Sequence, residues 1–410
     1  MAALFGRAWH GVLGGGAFLA RLAERIGNPV STLPPYPVGP VARALHDRLF
    51  VADMHADTLL SGRDVSRAAR YGHLDLPRLR AGRVGLQVLS IVTNMPPCPG
   101  RRRCGRAPNL VALLAAAQGW PVGAWADDRA RALYQAAKLR RVAADPAAGL
   151  VLLETARDLE HLLAEPPATR RIGVVLALEG AQAVGDAPAG VDALADAGVR
   201  LLGLVHYFDN AVAGSAHGIA GGGITAFGEQ VVERALARGM LIDLAHASAA
   251  AIDDFLDRWP GAPFAVSHTG LRSVCDHPRN LTDAQVRRIV RAGGLVGIGA
   301  WNTPLCLPRA APSAAYVERM VESIARALYL ADAEHPGHGA DYVALGSDFD
   351  GWVPVGFDAG GWPLLTEGLL RARLTETQIG AIMGRNVCRL LLRGLPRHGP
   401  PVLPASRDTP

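Results

Sequence analysis

Residues 240–246 read Met240-Leu241-Ile242-Asp243-Leu244-Ala245-His246, and residues 264–268 read Phe264-Ala265-Val266-Ser267-His268. Both runs are short and apolar, lack the polar–apolar alternation of a half-exposed strand, and end in an imidazole. Such runs read as strands buried on both faces, the form strands take in an all-parallel sheet. The intervening stretch, Ala249–Trp259, reads as a helix, so the unit is strand–helix–strand.

Outward from this pair the unit repeats. Strands are predicted at Leu49–Met54, Val84–Val92, Ile172–Leu178, Val199–Val205, Met240–Leu244, Phe264–Ser267, Leu295–Gly299 and Tyr342–Gly346. Helices are predicted at Asp127–Val142, Val191–Ala197, Phe227–Arg238, Ala249–Trp259, Asp283–Ala292 and Ala314–Ala331. Thr282 is a good N-cap for the helix that starts at Asp283, and Gly239 a good terminator after Arg238. No glycine-rich dinucleotide fingerprint follows the first strand, and Gly221-Gly222-Gly223 reads as a loop. Eight strands with intervening helices predict an α/β fold, a closed (β/α)₈ TIM-type barrel, rather than an open doubly wound sheet.

In such a barrel the carboxyl ends of all strands face one mouth, where residues distant in sequence meet. The polar residues fall there. The first strand leads into His55 and Asp57, two apart and so projecting to one side of an extended chain. An imidazole and a carboxylate together suit Zn²⁺. Glu179 follows the third run, and a carboxylate there needs a partner: a salt bridge to a loop arginine or a shared metal. His206, His246 and His268 end three successive strands, and Asp348 follows the eighth. Asp53, Asp243 and Asp350 adjoin these candidates and are expected to accept from imidazoles behind them or to hold loop structure. His10, His46, His161, His335, His338 and His398 show no ligand spacing.

Half of the 410 residues are hydrophobic, enough for a large core, and 42 Lys+Arg against 37 Asp+Glu leave a charge of only +5. Arg101-Arg102-Arg103 lies in a Pro/Gly loop without interleaved aromatics, so no nucleic-acid partner is expected. The cysteines, Cys98, Cys104, Cys275, Cys306 and Cys388, do not form a disulfide scaffold. Cys98 and Cys104 bracket one loop and are spaced to pair in an oxidising compartment. No apolar run of about 18 residues exists to span a membrane. Residues 1–40 read as an amphipathic helix and a Pro-rich linker that packs on the barrel, on a partner or on a membrane surface. Residues 41–395 read as the barrel domain and 396–410 as a Pro-rich tail. A cytoplasmic location is expected, with membrane-peripheral and exported forms as alternatives.

The motifs Gly72-His73-Leu74-Asp75-Leu76-Pro77-Arg78-Leu79, Leu178-Glu179-Gly180, Gly223-Ile224-Thr225-Ala226-Phe227-Gly228, Ile242-Asp243-Leu244-Ala245-His246-Ala247-Ser248, Ser267-His268, His277-Pro278-Arg279-Asn280 and Gly346-Ser347-Asp348-Phe349-Asp350-Gly351 occur in this order. In this respect the chain, from about Phe50 to Leu392, resembles the membrane (renal) dipeptidases, zinc peptidases of the amidohydrolase superfamily. The resemblance implies a metal-dependent dipeptidase with two Zn²⁺ ions. His55, Asp57 and Glu179 would hold one ion, Glu179, His246 and His268 the other, with Glu179 bridging. It implies that His206 and Arg279 contact substrate, His206 also acting in catalysis, and that Asp348 handles the proton. The implied partners are small dipeptides with a free carboxylate. Apart from the resemblance, peripheral membrane contact through the N-terminal segment and a homodimer are further expectations. Val205 stands where many relatives have Thr, and the loop Pro96–Pro108 is longer than usual. Two rival readings remain. One is another amidohydrolase activity, on a lactam, cyclic amide or lactone; His-x-Asp with Glu179, in place of His-x-His with a carboxylated lysine, favours the dipeptidase branch. The other is a non-enzymatic binding barrel stapled by metal.

Overall fold

The computed structural model describes residues 16–97, 103–105 and 107–399. Nine strands form one parallel sheet: β1 (Val51–Asp53), β2 (Val84–Val92), β3 (Leu150–Leu152), β4 (Ile172–Glu179), β5 (Val199–Gly203), β6 (Leu241–Asp243), β7 (Phe264–Thr269), β8 (Leu295–Ile298) and β9 (Val343–Leu345). Hydrogen bonding runs β2-β1-β9-β8-β7-β6-β5-β4. β4 then pairs back to β2 from Leu86–Gly173 to Val92–Glu179, so eight strands close a TIM-type barrel. These are the eight predicted strands. β3 is the addition: three residues along the amino-terminal half of β4, too few to carry a readable pattern.

The side chains explain the closure. Ala52, Leu86, Val88, Val175, Ala177, Leu201, Leu241, Ala265, Leu295 and Ala344, with at least one from each barrel strand, pack into one cluster with Val387, Leu390 and Leu391 of the helix Asn386–Gly394. The alternate positions, such as Val174, Leu176, Leu178, Ile242, Val266 and Val296, pack into a second cluster with the surrounding helices. Both faces of each strand are therefore apolar, and burying each Val, Leu or Ile side chain among them contributes about 1.5–3 kcal/mol. The six predicted helices are present with shifted ends. The cap predictions are met: Thr282 and Gln285 form a reciprocal capping box, and Gly239 takes φ +69° just past its helix.

Residues 16–27 are helical and pack on the barrel. Buried Glu24 accepts from Arg63 Nε at 2.7 Å, and the chain beyond pairs with the loop after β9 through Val30–Val355 and Asn28–Trp352. The apolar side expected for the N-terminal helix, Leu4, Phe5, Trp9, Val12 and Leu13, lies outside the described residues. A disulfide joins Cys275 to Cys306, tying the loop after β7 to the loop after β8. The anticipated Cys98–Cys104 pair has Cys98 outside the described residues.

Candidate metal centre

β1, β4, β6 and β7 bring His55, Asp57, Glu179, His246 and His268 to one point, all buried. Glu179 Oε1 lies 3.5 Å from His55 Nε2, 3.1 Å from His246 Nε2 and 3.4 Å from His268 Nε2. His55 Nε2 is 3.3 Å from Asp57 Oδ1, and the Nε2 atoms of His246 and His268 are 3.1 Å apart. Donors about 2.0–2.1 Å from a tetrahedral ion lie about 3.3–3.4 Å from each other, so this spacing is that of a ligand set. His55 Nε2, Asp57 Oδ1 and Glu179 Oε2 are buried without a hydrogen-bond partner. Each such group costs about 1–3 kcal/mol or more, a cost that a divalent cation offsets. Nitrogen and carboxylate oxygen donors in this mixture suit zinc. His55, Asp57 and Glu179 form one candidate metal-holding triad, while Glu179 with His206 and His246, and His55 with His268 and Asp348, form two others.

The backbone and the layer behind explain the aim of these groups. His246 and Asp348 hold φ values of +63° and +61°, a left-handed conformation that costs a non-glycine residue about 1–2 kcal/mol. Ser267 Oγ donates to Asp243 Oδ2 at 2.5 Å and lies 2.8 Å from His268 Nδ1. With its one proton given to Asp243, Ser267 can only accept from His268 Nδ1, which leaves the Nε2 lone pair facing Glu179. Asp53 instead locks strand ends, accepting from Ser347 N, Ser347 Oγ and Gln87 Nε2 at 2.8, 2.6 and 3.0 Å. Asp350 accepts from Arg63 Nη2, Thr58 Oγ1 and His73 N at 2.6, 2.8 and 2.7 Å. Of the two roles left open for these aspartates, Asp243 alone reaches a ligand imidazole, through a serine, while Asp53 and Asp350 hold strand ends and loops.

Electrostatics follow the geometry. Burial opposes the charge on Glu179, but His206, His55 and His246 outweigh it and hold its carboxyl well below the usual range. Burial, then Glu179, pushes Asp57 up to about 7. Burial holds His246 and His268 well below the ordinary imidazole value, so both present lone pairs. Asp348 is raised well above a normal carboxylate by burial, then by Asp57, with Glu179 adding to it. A Cβ at Gly351 would meet Asp348 Oδ1, so glycine there leaves that carboxylate its position.

His206 points Nε2 at Glu179 Oε2 across 3.4 Å, with Nδ1 3.1 Å from the Asn94 carbonyl. A carbonyl only accepts, so the Nδ1 proton is committed to it. Arg279 is buried, donates from Nη2 to His268 O at 2.6 Å and lies over Trp301. Its Nε has no partner, and among the described residues no carboxylate lies within ion-pair distance. An uncompensated buried cation is costly and suits an anionic ligand. Sequence reasoning did not single out Ser267, Asn94, Arg63 or His217, the last buried with its ring 5.5 Å from His246. Ser267 had one signal, its place directly before a strand-end histidine; the others had none.

The family model of the membrane dipeptidases, peptidase family M19, matches residues 41–393. An uncharacterised dipeptidase of Schizosaccharomyces pombe is 31% identical over 229 residues, 54% of this chain and 52% of that protein, so the match spans about half of the relative's length. A Klebsiella pneumoniae protein from the pqqA 5′ region is 30% identical over 266 residues, 63% of this chain and 93% of that one. A Rhodobacter sphaeroides metallopeptidase, solved with a phosphinate mimic of the dipeptide L-Ala-D-Ala, superposes with TM-score 0.65 at 24% identity, covering 84% of this chain and 99% of its own. A probable dipeptidase of Pseudomonas aeruginosa gives TM-score 0.65 at 20% identity over 87% and 98%. The chain belongs to the membrane dipeptidase family, peptidase family M19, a family of metal-dependent dipeptidases.

Proposed function

We propose that the protein is a zinc-dependent dipeptidase that cleaves small dipeptides carrying a free C-terminal carboxylate. The observation that carries this is Glu179, whose carboxylate sits within 3.1–3.5 Å of four imidazoles. His55, Asp57 and Glu179 would hold one zinc ion, Glu179, His246 and His268 a second, with Glu179 shared between them. When bound, two such ions supply Lewis acidity at the scissile carbonyl and lower the pKa of a water toward about 7.

The rest is done by this chain's own side chains. Arg279 presents its guanidinium to the substrate carboxylate, in charge-assisted hydrogen bonds whose fork fixes the peptide's direction. Asp348 accepts a proton at a carboxylate oxygen as water attacks and returns it to the leaving nitrogen. Its raised affinity for a proton suits it to both steps. His206 faces the developing oxyanion with Nε2. Because Asn94 engages the Nδ1 proton, donation from Nε2 requires the doubly protonated ring; burial opposes that form and outweighs Glu179, which favours it, so the imidazole lies below its ordinary value.

Residues 41–395 make up the catalytic barrel in this reading, with 1–40 and 396–410 flanking it. The Cys275–Cys306 disulfide supports an oxidising compartment, and so an exported form over a cytoplasmic one. Phe18, Leu19 and Ile26 are exposed on the helix over residues 16–27 and support peripheral membrane contact there; a homodimer would use the same face. No helix among the described residues is long and apolar enough to cross a membrane. The test of substrate class is Arg279→Ala. KM for dipeptides should rise about tenfold or more, as expected for a lost hydrogen bond to a charged group, and the parent enzyme should turn over dipeptide amides poorly. Equal turnover of dipeptides and their amides would refute the carboxylate clamp.

A further inference from the structure

The opposite end of the barrel holds a cavity of about 800 Å³ beside the first residues of β1, β2 and β4. Along β4 the path from Ile172 to Glu179 is about 23 Å at about 3.3 Å per residue, so this cavity is remote from the metal donors. Arg48, Arg80, Arg83, Arg170 and Arg171 line it, and Asp47 is the one carboxylate in its wall. Five guanidinium groups around one cavity stand out in a chain whose whole balance is +5.

Surface ion pairing accounts for three of them. Arg48 pairs with Glu376 at 2.9 Å, Arg83 with Asp47 at 3.1 Å, and Arg171 Nε with Glu165 at 2.8 Å. Arg80 and Arg170 are different. Arg80 donates from Nη2 to the Ala148 carbonyl at 2.6 Å, and Arg170 donates to the carbonyls of Leu163 and Glu165. Among the described residues neither has a carboxylate within ion-pair distance. Arg170 also stacks over the Phe50 ring, 5.4 Å from its centroid. Backbone carbonyls and an aromatic face therefore hold these two side chains in place while leaving their charge uncompensated. That is preorganisation for an anion, since little rotamer freedom is lost when one binds. Thr169 adds a hydroxyl on the same wall. The concave shape and ligand-sized volume fit a small molecule.

We propose that the amino-terminal end of the barrel is a second binding site, for an anion bearing phosphate groups. Arginine forks match phosphate oxygens, and the site's attraction falls with ionic strength as the arginines are screened. A free phosphorylated compound and the headgroup of an anionic lipid share this chemistry.

The test is calorimetric titration of the full-length, metal-loaded protein with fructose 1,6-bisphosphate, chosen over pyrophosphate, which competes for the metal at the other end. Saturable binding that weakens as salt is raised is expected. The double variant Arg80→Gln/Arg170→Gln should lose about a hundredfold in affinity, about tenfold for each hydrogen-bonded charge removed, with dipeptide turnover unchanged. Because those arginines also hold loop carbonyls, Thr169→Glu provides the second variant: it sets a negative charge in the exposed wall and should weaken binding about tenfold or more. Absence of saturable binding, or binding that both variants leave intact, overturns the proposal. Sedimentation with phosphatidylcholine vesicles, with and without phosphatidylserine, separates the sources. Pelleting that needs phosphatidylserine and is lost in Thr169→Glu assigns the lipid headgroup. Bisphosphate binding without pelleting assigns the free compound.

Discussion

At the carboxyl ends of the strands several charged groups are buried with polar atoms left unpartnered; at the amino ends they are exposed and most are paired with each other. Glu179, Asp57, His55 and Arg279 lie at the first end, each with an unsatisfied polar atom. Arg48, Arg83 and Arg171 lie at the second, each on a carboxylate. One strand set produces both ends, so the difference comes from the residues placed there. Burying a charge without a partner lowers stability, and surface pairs return about 0–1 kcal/mol each. The carboxyl-terminal mouth therefore holds groups that the proposed cation and anionic substrate would satisfy. The amino-terminal end is affordable as bare protein, apart from Arg80 and Arg170.

This contrast sets the scale of what substitution should do at each end. Asp348→Asn keeps the shape but removes the proton acceptor, so kcat should fall by roughly 10²–10⁴ while metal content and KM hold. Wild-type kcat with full metal would exclude Asp348 from proton transfer. Ser267→Ala cuts the link from Asp243 to His268 Nδ1 and frees that imidazole to turn. Metal affinity should drop roughly 10–100-fold, read by dialysis against graded chelator; unchanged affinity would mean that packing alone aims the ring. At the other end, Arg171→Ala breaks only an exposed pair with Glu165. Unfolding free energy should change by about 0.2–1 kcal/mol, with kcat unaltered; a loss of several kcal/mol would show that the amino-terminal pairs are structural after all.

The barrel was legible because its strands carry apolar residues on both faces and stop at polar ones. Val84–Val92 was readable to the residue, whereas β3, with three residues, was invisible. The gathering of the candidate donors was legible for the same reason: each lies at or just past the end of a strand, and the fold gathers strand ends. What lies behind them was not. Arg63 joins Glu24 and Asp350, partners 39 and 287 residues away, and no local pattern marks such an encounter. Asp243 looked like a direct partner of an imidazole, but Ser267 stands between them, a matter of side-chain reach rather than of spacing. The pairing of Cys275 with Cys306 likewise depends on which loops the barrel sets side by side; counting cysteines leaves the connectivity open.

The proposal of two metal ions rests on Glu179 being shared. Elemental analysis of the parent protein and of Glu179→Gln, both purified without chelator and reconstituted with zinc, tests this directly. A shared carboxylate predicts close to two zinc ions per chain in the parent and loss of metal from both positions in the variant, with the fold retained by circular dichroism. A parent that saturates at one ion or none, or a Glu179→Gln protein that keeps both, would contradict it.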